Sequence, residues 1–272
     1  MMSMQANIEK AFEKKEGFTP EDYRLFEEFR NLLDTGKIRA AEKRGEEWVV
    51  NLWVKKGILL GFRLGVLAQF YWSENKPFFD KSTYPEKRFG LDSGVRLVPG
   101  GTSVRSGAYI GKNVTIMPPS YANVGSYVDD GTMLDSHSLV GSCAQVGKRV
   151  HVSAGVMIGG VLEPIGHRPV IIEDDVFIGG NCGIYEGVLI KERAVLGSGV
   201  ILTSSTPVFD AVRGDFLPRK EGESVTIPRE AVVVSGSRTL KKHPDISLYC
   251  PVIIKYRDSK TDVSISLEDY LR

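Results

Sequence analysis

The feature that most constrains this chain is a period of six that runs from Val98 to Val208. Stepping by six from Val98 meets Val104, Ile110, Ile116, Ala122, Val128, Leu134, Val140, Val146, Val152 and Ile158, all apolar and small to medium in size. Pro164 to Ile171 interrupt the frame, which reopens at Ile172 and continues through Ile178, Ile184, Ile190, Leu196 and Leu202 to Val208. Four places after each frame residue stands a small or β-branched side chain, among them Ser120, Thr132, Ser138, Val156 and Cys182. A helix repeats at about 3.6 residues and a strand at about two, so neither yields this pattern. A hexapeptide period is the mark of a parallel β-helix. The pattern predicts a mainly β prism in which each hexad supplies one flat side and one corner. The first place fills the prism, and the residue four later enters a crowded corner. Gly, Asn and Asp take the tight backbone of the turns. Three hexads close one coil, so the two frames give between five and six coils. The short, turn-broken hexapeptide form goes with a left-handed coil, an exception to the right-handed crossover rule.

Charge is nearly balanced, with 35 Lys and Arg against 34 Asp and Glu, which argues against nucleic acid or an anionic membrane as the main partner. Cys143, Cys182 and Cys250 are odd in number and widely spaced, and read as reduced core residues rather than disulfides or metal ligands. The N-terminus is too acidic and too short in apolar run for a signal peptide, and no segment has the length of a membrane span. These features predict a cytoplasmic protein.

Ahead of the prism, residues 1–90 predict a small α-rich domain. Residues 4–15 read as a helix with Ile8, Ala11 and Phe12 on one face. Thr19-Pro20-Glu21-Asp22 is a helix start, with Tyr23, Phe26, Phe29 and Leu33 following at helical spacing and Gly36 ending the run. A strand pair at 38–42 and 47–50 and a helix from Asn51 to Leu64 come next, and residues 65–90 read as an irregular connector. The prism domain spans 91–236, with outward excursions at 163–169 and 210–225. The extension, 237–272, carries a basic turn from Ser237 to His243, a strand from Leu248 to Tyr256 and a short helix opened by Ser266.

A hexapeptide prism without a metal cluster is, by fold-level analogy, most often an acyltransferase that uses coenzyme A thioesters. The flat faces pack threefold and leave grooves long enough for a pantetheine arm. Of four histidines, His137 and His151 are candidate general bases, set against the plainer reading of a histidine in a surface turn; His167 and His243 lie outside the frames. His137 occupies the fourth place of its hexad and His151 the sixth, so their directions differ and they build no zinc site.

Specific runs go further than the period. Tyr121-Ala-Asn-Val-Gly-Ser-Tyr-Val-Asp-Asp-Gly-Thr-Met-Leu-Asp135, Val140-Gly-Ser-Cys-Ala-Gln-Val-Gly147 and Gly159-Gly-Val-Leu-Glu-Pro164 closely resemble the tetrahydrodipicolinate N-succinyltransferase family, as do Leu32–Gly36 and Ser247–Cys250 outside the prism. The resemblance implies a homotrimer with active sites between neighbouring prisms and no metal or tightly bound cofactor. It implies transfer of succinyl from succinyl-coenzyme A to the amino group of ring-opened, hydrated tetrahydrodipicolinate, in the diaminopimelate route to lysine. Acetyl transfer to the same acceptor and a non-catalytic scaffold are the alternatives. By the family pattern, Arg96 and Asp135 bind substrate, and Asp135 is catalytic. An Arg fork suits the acceptor carboxylate, and a carboxylate orients the amine and takes its proton. The family's better-known branch has a Glu at the place of Gly183, so Glu186 and Glu163 stand as alternative acid–base or substrate contacts. The Gly159-Gly160 pair is a candidate for backbone contact with the thioester oxygen. Arg238, Lys241 and Lys242 are candidate contacts for the coenzyme phosphates, against the alternative of a solvated basic turn.

Overall fold

The computed structural model describes residues 3–73, 76–218, 222 and 224–258. Its body is a left-handed parallel β-helix of two-residue strands stacked into three sheets. The first face holds Tyr109–Ile110, Tyr127–Val128, Gln145–Val146, Ile171–Ile172, Leu189–Ile190 and Thr226–Ile227. The second runs from Arg96–Leu97 through Thr115–Ile116, Met133–Leu134, His151–Val152, Phe177–Ile178 and Val195–Leu196 to Ala231–Val234. The third holds Ser103–Val104, Tyr121–Ala122, Leu139–Val140, Met157–Ile158, Gly183–Ile184 and Ile201–Leu202. In each of these two-residue strands from Ser103–Val104 onward the second residue points inward and is buried. From Val104 to Val208 every residue of the two hexad frames is buried, and the corner places from Ala108 to Val200 are buried with them. Each inward Val, Leu or Ile contributes about 1.5–3 kcal/mol by leaving water. Backbone amides hold successive coils together, as where Gly141 donates to Ile158 at 2.8 Å and Met157 to Cys182 at 2.9 Å.

Two details depart from the sequence frame. Leu97, not Val98, lies opposite Ile116, so the first coil is one residue out of step and the segment after Leu97 absorbs the extra residue. The excursion also sits two residues earlier than the break in the frame. Val161 and Val170 are both buried, and Ile171 pairs with Gln145 in the first face, which leaves Leu162–Pro169 as the outward loop.

The cap is built from α1 (Met4–Phe12), α2 (Pro20–Asp34) and α3 (Leu52–Leu64). A capping box between Thr19 and Asp22 starts α2, and Phe26, Phe29 and Leu33 bury its inner face. Tyr23 stays 43% exposed, outside the stripe its spacing predicted. The first strand of the following hairpin is Ala41–Arg44 rather than 38–42, because it pairs residue for residue with Glu47–Val50 across Gly45 at φ +61°. Residues 65–90 are not wholly irregular: Leu67–Ser73 and Lys76–Lys81 form an antiparallel hairpin. Leu67, Tyr71, Phe78 and Phe79 are all exposed on it, so apolar residues do not mark out a buried face in these strands.

The cap docks on the first face. Trp48 Nε1 donates to Glu173 at 2.8 Å, Lys43 Nζ meets the same carboxylate at 3.0 Å, and the Arg39 guanidinium lies 3.6 Å from the Tyr127 ring centre while donating to Gln145 at 2.8 Å. Lys55 of α3, wholly buried, donates to the His167 carbonyl and so ties the outward loop to the cap. At the other end, Ser237–Leu240 and His243–Tyr249 form a hairpin around Lys241–Lys242. The basic run is therefore part of a strand pair rather than a turn alone. The expected strand from Leu248 to Tyr256 is broken at Cys250-Pro251, since Pro has no N–H for a ladder. Val252–Tyr256 then pairs back on Ala231–Val234 and closes the prism. The helix expected from Ser266 lies outside the described residues.

Candidate functional site

Asp135 follows the inward Leu134 and opens the turn between the second and third faces. Its amide donates to Val152 at 2.8 Å, and one carboxylate oxygen accepts the Ser136 amide at 2.7 Å. His137 has left-handed backbone, φ +62°, a region His, Asn and Asp tolerate better than most residues. Its amide donates to Pro119 at 2.7 Å and its side chain is exposed. Ser138 then turns inward and shares a 3.1 Å hydrogen bond with Ser120, which also donates to Met117. The turn is thus held from within and from the coil above. Beside it lies a cavity of about 340 Å³ lined by Ser103, Tyr121, His137, Leu139 and Met157 among others. Burial pushes the Tyr121 phenol above its ordinary pKa, so it is neutral at physiological pH.

Arg96 points outward on the second face in its first coil. It is exposed, its amide donates to Val114 at 2.9 Å, and its guanidinium has no hydrogen-bonded or ionic partner among the described residues. Asp135 lies two coils on, around the corner of that face. The Gly159-Gly160 pair is on the opposite edge of the third face. A Cβ on Gly159 would come within 2.7 Å of the Tyr185 ring, and one on Gly160 within 2.7 Å of the Ser142 amide nitrogen. Close packing therefore accounts for both glycines. The Gly159 amide already donates to Ile184 at 2.8 Å, which leaves only the Gly160 amide for a thioester oxygen.

Glu186 stands on that same edge one coil later. Its carboxylate accepts the Ser204 hydroxyl at 2.6 Å and amide at 3.1 Å, and these hydrogen bonds hold it below the ordinary carboxylate range. Glu163 is exposed at the start of the outward loop, with no partner among the described residues. Gly183 lies beneath Tyr185, whose ring and hydroxyl would sit 2.6 and 2.9 Å from a Cβ at that place. Tyr185 is the residue that sequence reasoning missed; an outward Gly followed two places later by an aromatic was its signal.

Arg238 lies on the terminal hairpin with its Nε buried and unpartnered, and Lys241 and Lys242 are exposed at the hairpin turn. His151 is buried and stacks on Phe177 at 4.7 Å, so it is part of the second face rather than of a surface turn. His167 and His243 are exposed on the outward loop and the terminal hairpin. Among the described residues no group of three or more His, Cys, Asp or Glu side chains could hold a metal ion. One protomer therefore places His137 on the wall of a cavity, with Asp135 two places before it on the same turn and outside that lining. It leaves Arg96, the Gly160 edge and the basic hairpin apart from them.

Residues 3–64 match the family model described as tetrahydrodipicolinate N-succinyltransferase N-terminal, and residues 169–204 match the hexapeptide repeat of succinyl-transferase. A 2,3,4,5-tetrahydropyridine-2,6-dicarboxylate N-succinyltransferase from Sodalis glossinidius is 42% identical, covering 100% of this chain and 99% of that one. The enzyme of the same name from Acinetobacter baylyi is also 42% identical, with 100% and 99% covered. A Cereibacter sphaeroides relative, again of that name, is 42% identical over 99% of this chain and 98% of its own. Likeness at this level along the whole length, cap and coils alike, shows that the chain belongs to the tetrahydrodipicolinate N-succinyltransferase family.

Proposed function

We propose that this chain transfers the succinyl group of succinyl-coenzyme A to the amino group of ring-opened, hydrated tetrahydrodipicolinate. The product is N-succinyl-2-amino-6-oxopimelate, a step of the diaminopimelate route to lysine, carried out in the cytoplasm without a tightly bound cofactor. The observation that carries this reading is the full-length family likeness, which includes the run ending at Asp135.

Asp135 accepts a hydrogen bond from the acceptor amine and fixes its approach. Its position on a turn pinned to Pro119 and Val152 supports this role, because a rigid shelf limits misorientation of the nucleophile. Arg96, with its guanidinium unpaired among the described residues, pairs with an acceptor carboxylate through two parallel hydrogen bonds. The free Gly160 amide faces the thioester oxygen as charge develops there. Arg238, Lys241 and Lys242 meet the phosphates of the coenzyme. Glu186, ionised and bonded to Ser204, shapes its edge and takes no proton, while Glu163 stands free to contact substrate.

Because these groups lie on different edges of one prism, a complete site takes residues from two. A homotrimer supplies them, and the apolar outward row Tyr121, Leu139, Met157 and Ile201 on the third face suits burial against a second copy. The test is thiol release from succinyl-coenzyme A with and without tetrahydrodipicolinate, beside acetyl-coenzyme A. Release that needs the acceptor and prefers the succinyl donor is expected. Preference for acetyl would change the donor, and no release with either would overturn the reading.

A further inference from the structure

We propose that the Tyr185 hydroxyl binds the distal carboxylate of the succinyl donor and is the group that tells succinyl from acetyl. The inference rests on the acyl transfer proposed above and names what reads the donor in it. The outward row of the third face is Ser103, Tyr121, Leu139, Met157, Gly183 and Ile201, and Gly183 alone in it lacks a side chain. Tyr185 fills that place. A Cβ on Gly183 would lie 2.6 Å from its ring, 2.9 Å from its hydroxyl and 3.0 Å from the Ile201 side chain, so the ring folds back over Gly183 beside Ile201. Gly159 packs against the same ring from the coil before. The backbone beneath is fixed as well, for the Tyr185 amide donates to Leu202 at 2.9 Å and its carbonyl accepts the Val188 amide at 3.2 Å.

The hydroxyl at the end of this fixed ring has no hydrogen-bonded partner among the described residues. The buried side-chain N and O atoms without a partner there are Ser126 Oγ and Arg238 Nε, so the Tyr185 oxygen is open to a ligand. Its place suits the donor. The Gly160 amide, which faces the thioester oxygen, belongs to the coil before Tyr185 on the same edge. Adjacent coils lie about 4.8 Å apart, a step that the two methylenes of a succinyl group span and that an acetyl methyl does not. Arg96 and Asp135 stand away from this edge and serve the acceptor. The carboxylates nearby do not compete for the place. Glu186 turns to the Ser204 hydroxyl and amide on the following coil, and Glu163 stands out on the loop. Around the hydroxyl the row is apolar, where a hydrogen bond from a neutral O–H to a carboxylate is of the stronger, charge-assisted kind.

Tyr185→Phe keeps the ring over both glycines and removes only the hydroxyl, so the thermal unfolding midpoint should stay that of the wild type. With tetrahydrodipicolinate as acceptor, the variant should lose about 10- to 100-fold in kcat/KM for succinyl-coenzyme A, the worth of one hydrogen bond to a charged group. Its kcat/KM for acetyl-coenzyme A, followed at high enzyme concentration, should stay within about twofold of the wild type, as should inhibition by free coenzyme A and the acceptor KM. The ratio of the two donors is the readout, and packing alone would not move it. An equal fall with both donors, or no fall with succinyl, would overturn the role of Tyr185 and leave the transfer reading intact. A wild type that prefers acetyl would overturn this role together with the succinyl donor. Absence of thiol release from either donor in the wild type would overturn the transfer reading, and this role with it.

Discussion

At the scale of single residues, the site turns on side chains set by backbone conformation. Asp135 sits where the chain leaves the second face, its own amide locked to Val152. Asp135→Asn keeps the shape of the turn and removes the charge. Turnover should fall on the order of 100-fold or more while the folded assembly is unchanged; steady-state rates beside sedimentation would check both. Gly183 and Tyr185 form a second coupled pair. Because a Cβ at 183 would meet the ring at 2.6 Å, Gly183→Glu alone must displace Tyr185. The double change Gly183→Glu with Tyr185→Ala should recover thermal stability relative to the single one, which a double-mutant cycle measures directly. Asp135 could be singled out in the sequence because it lies inside a long, specific run. Tyr185 was not, since its importance arises from a ring folding back over the neighbouring rung.

Elements add a second level. Ile158 is wholly buried in the coil before the outward loop, and Ile158→Ala should cost about 2–5 kcal/mol in unfolding free energy by leaving a cavity that stacked coils cannot close. The cap is held by the Glu173 carboxylate. Burial raises its pKa, but the Trp48 and Lys43 side chains and the Glu192 amide outweigh that, so the folded value is lowered. A depressed carboxylate contributes stability that is present above its unfolded pKa and is lost as pH falls through the folded one. The midpoint of thermal unfolding should therefore drop more steeply on acidification in the wild type than in Glu173→Gln, and the variant should be the less stable near neutrality. The three helices were readable from capping and apolar spacing. The hairpin at Leu67–Ser73 and Lys76–Lys81 was not, because apolar side chains such as Leu67, Tyr71, Phe78 and Phe79 lie exposed and no apolar–polar alternation marks its faces in the sequence.

For the whole molecule, the edges of the prism decide what one chain can do alone. Asp135 and His137 lie on one edge of the third face, Gly160 and Glu186 on the other. A homotrimer predicts a sedimentation mass near three times the 30.0 kDa of one chain. Met157→Lys or Ile201→Lys on the shared apolar row should shift that mass downward and reduce activity with it. The hexad frames by themselves determined which residues from Val104 onward fill the prism and placed the coil break to within two residues, because local periodicity reports which side of the chain is buried, while the runs at 121–135 and 140–147 carried the family resemblance. Tertiary structure alone decided that Leu97 replaces Val98 in the first coil, that Lys55 ties the outward loop to the cap, and that His137 shares a cavity wall with Tyr121 and Met157. These depend on contacts between coils eighteen or more residues apart, as between Val128 and Val146, and no local pattern carries that information.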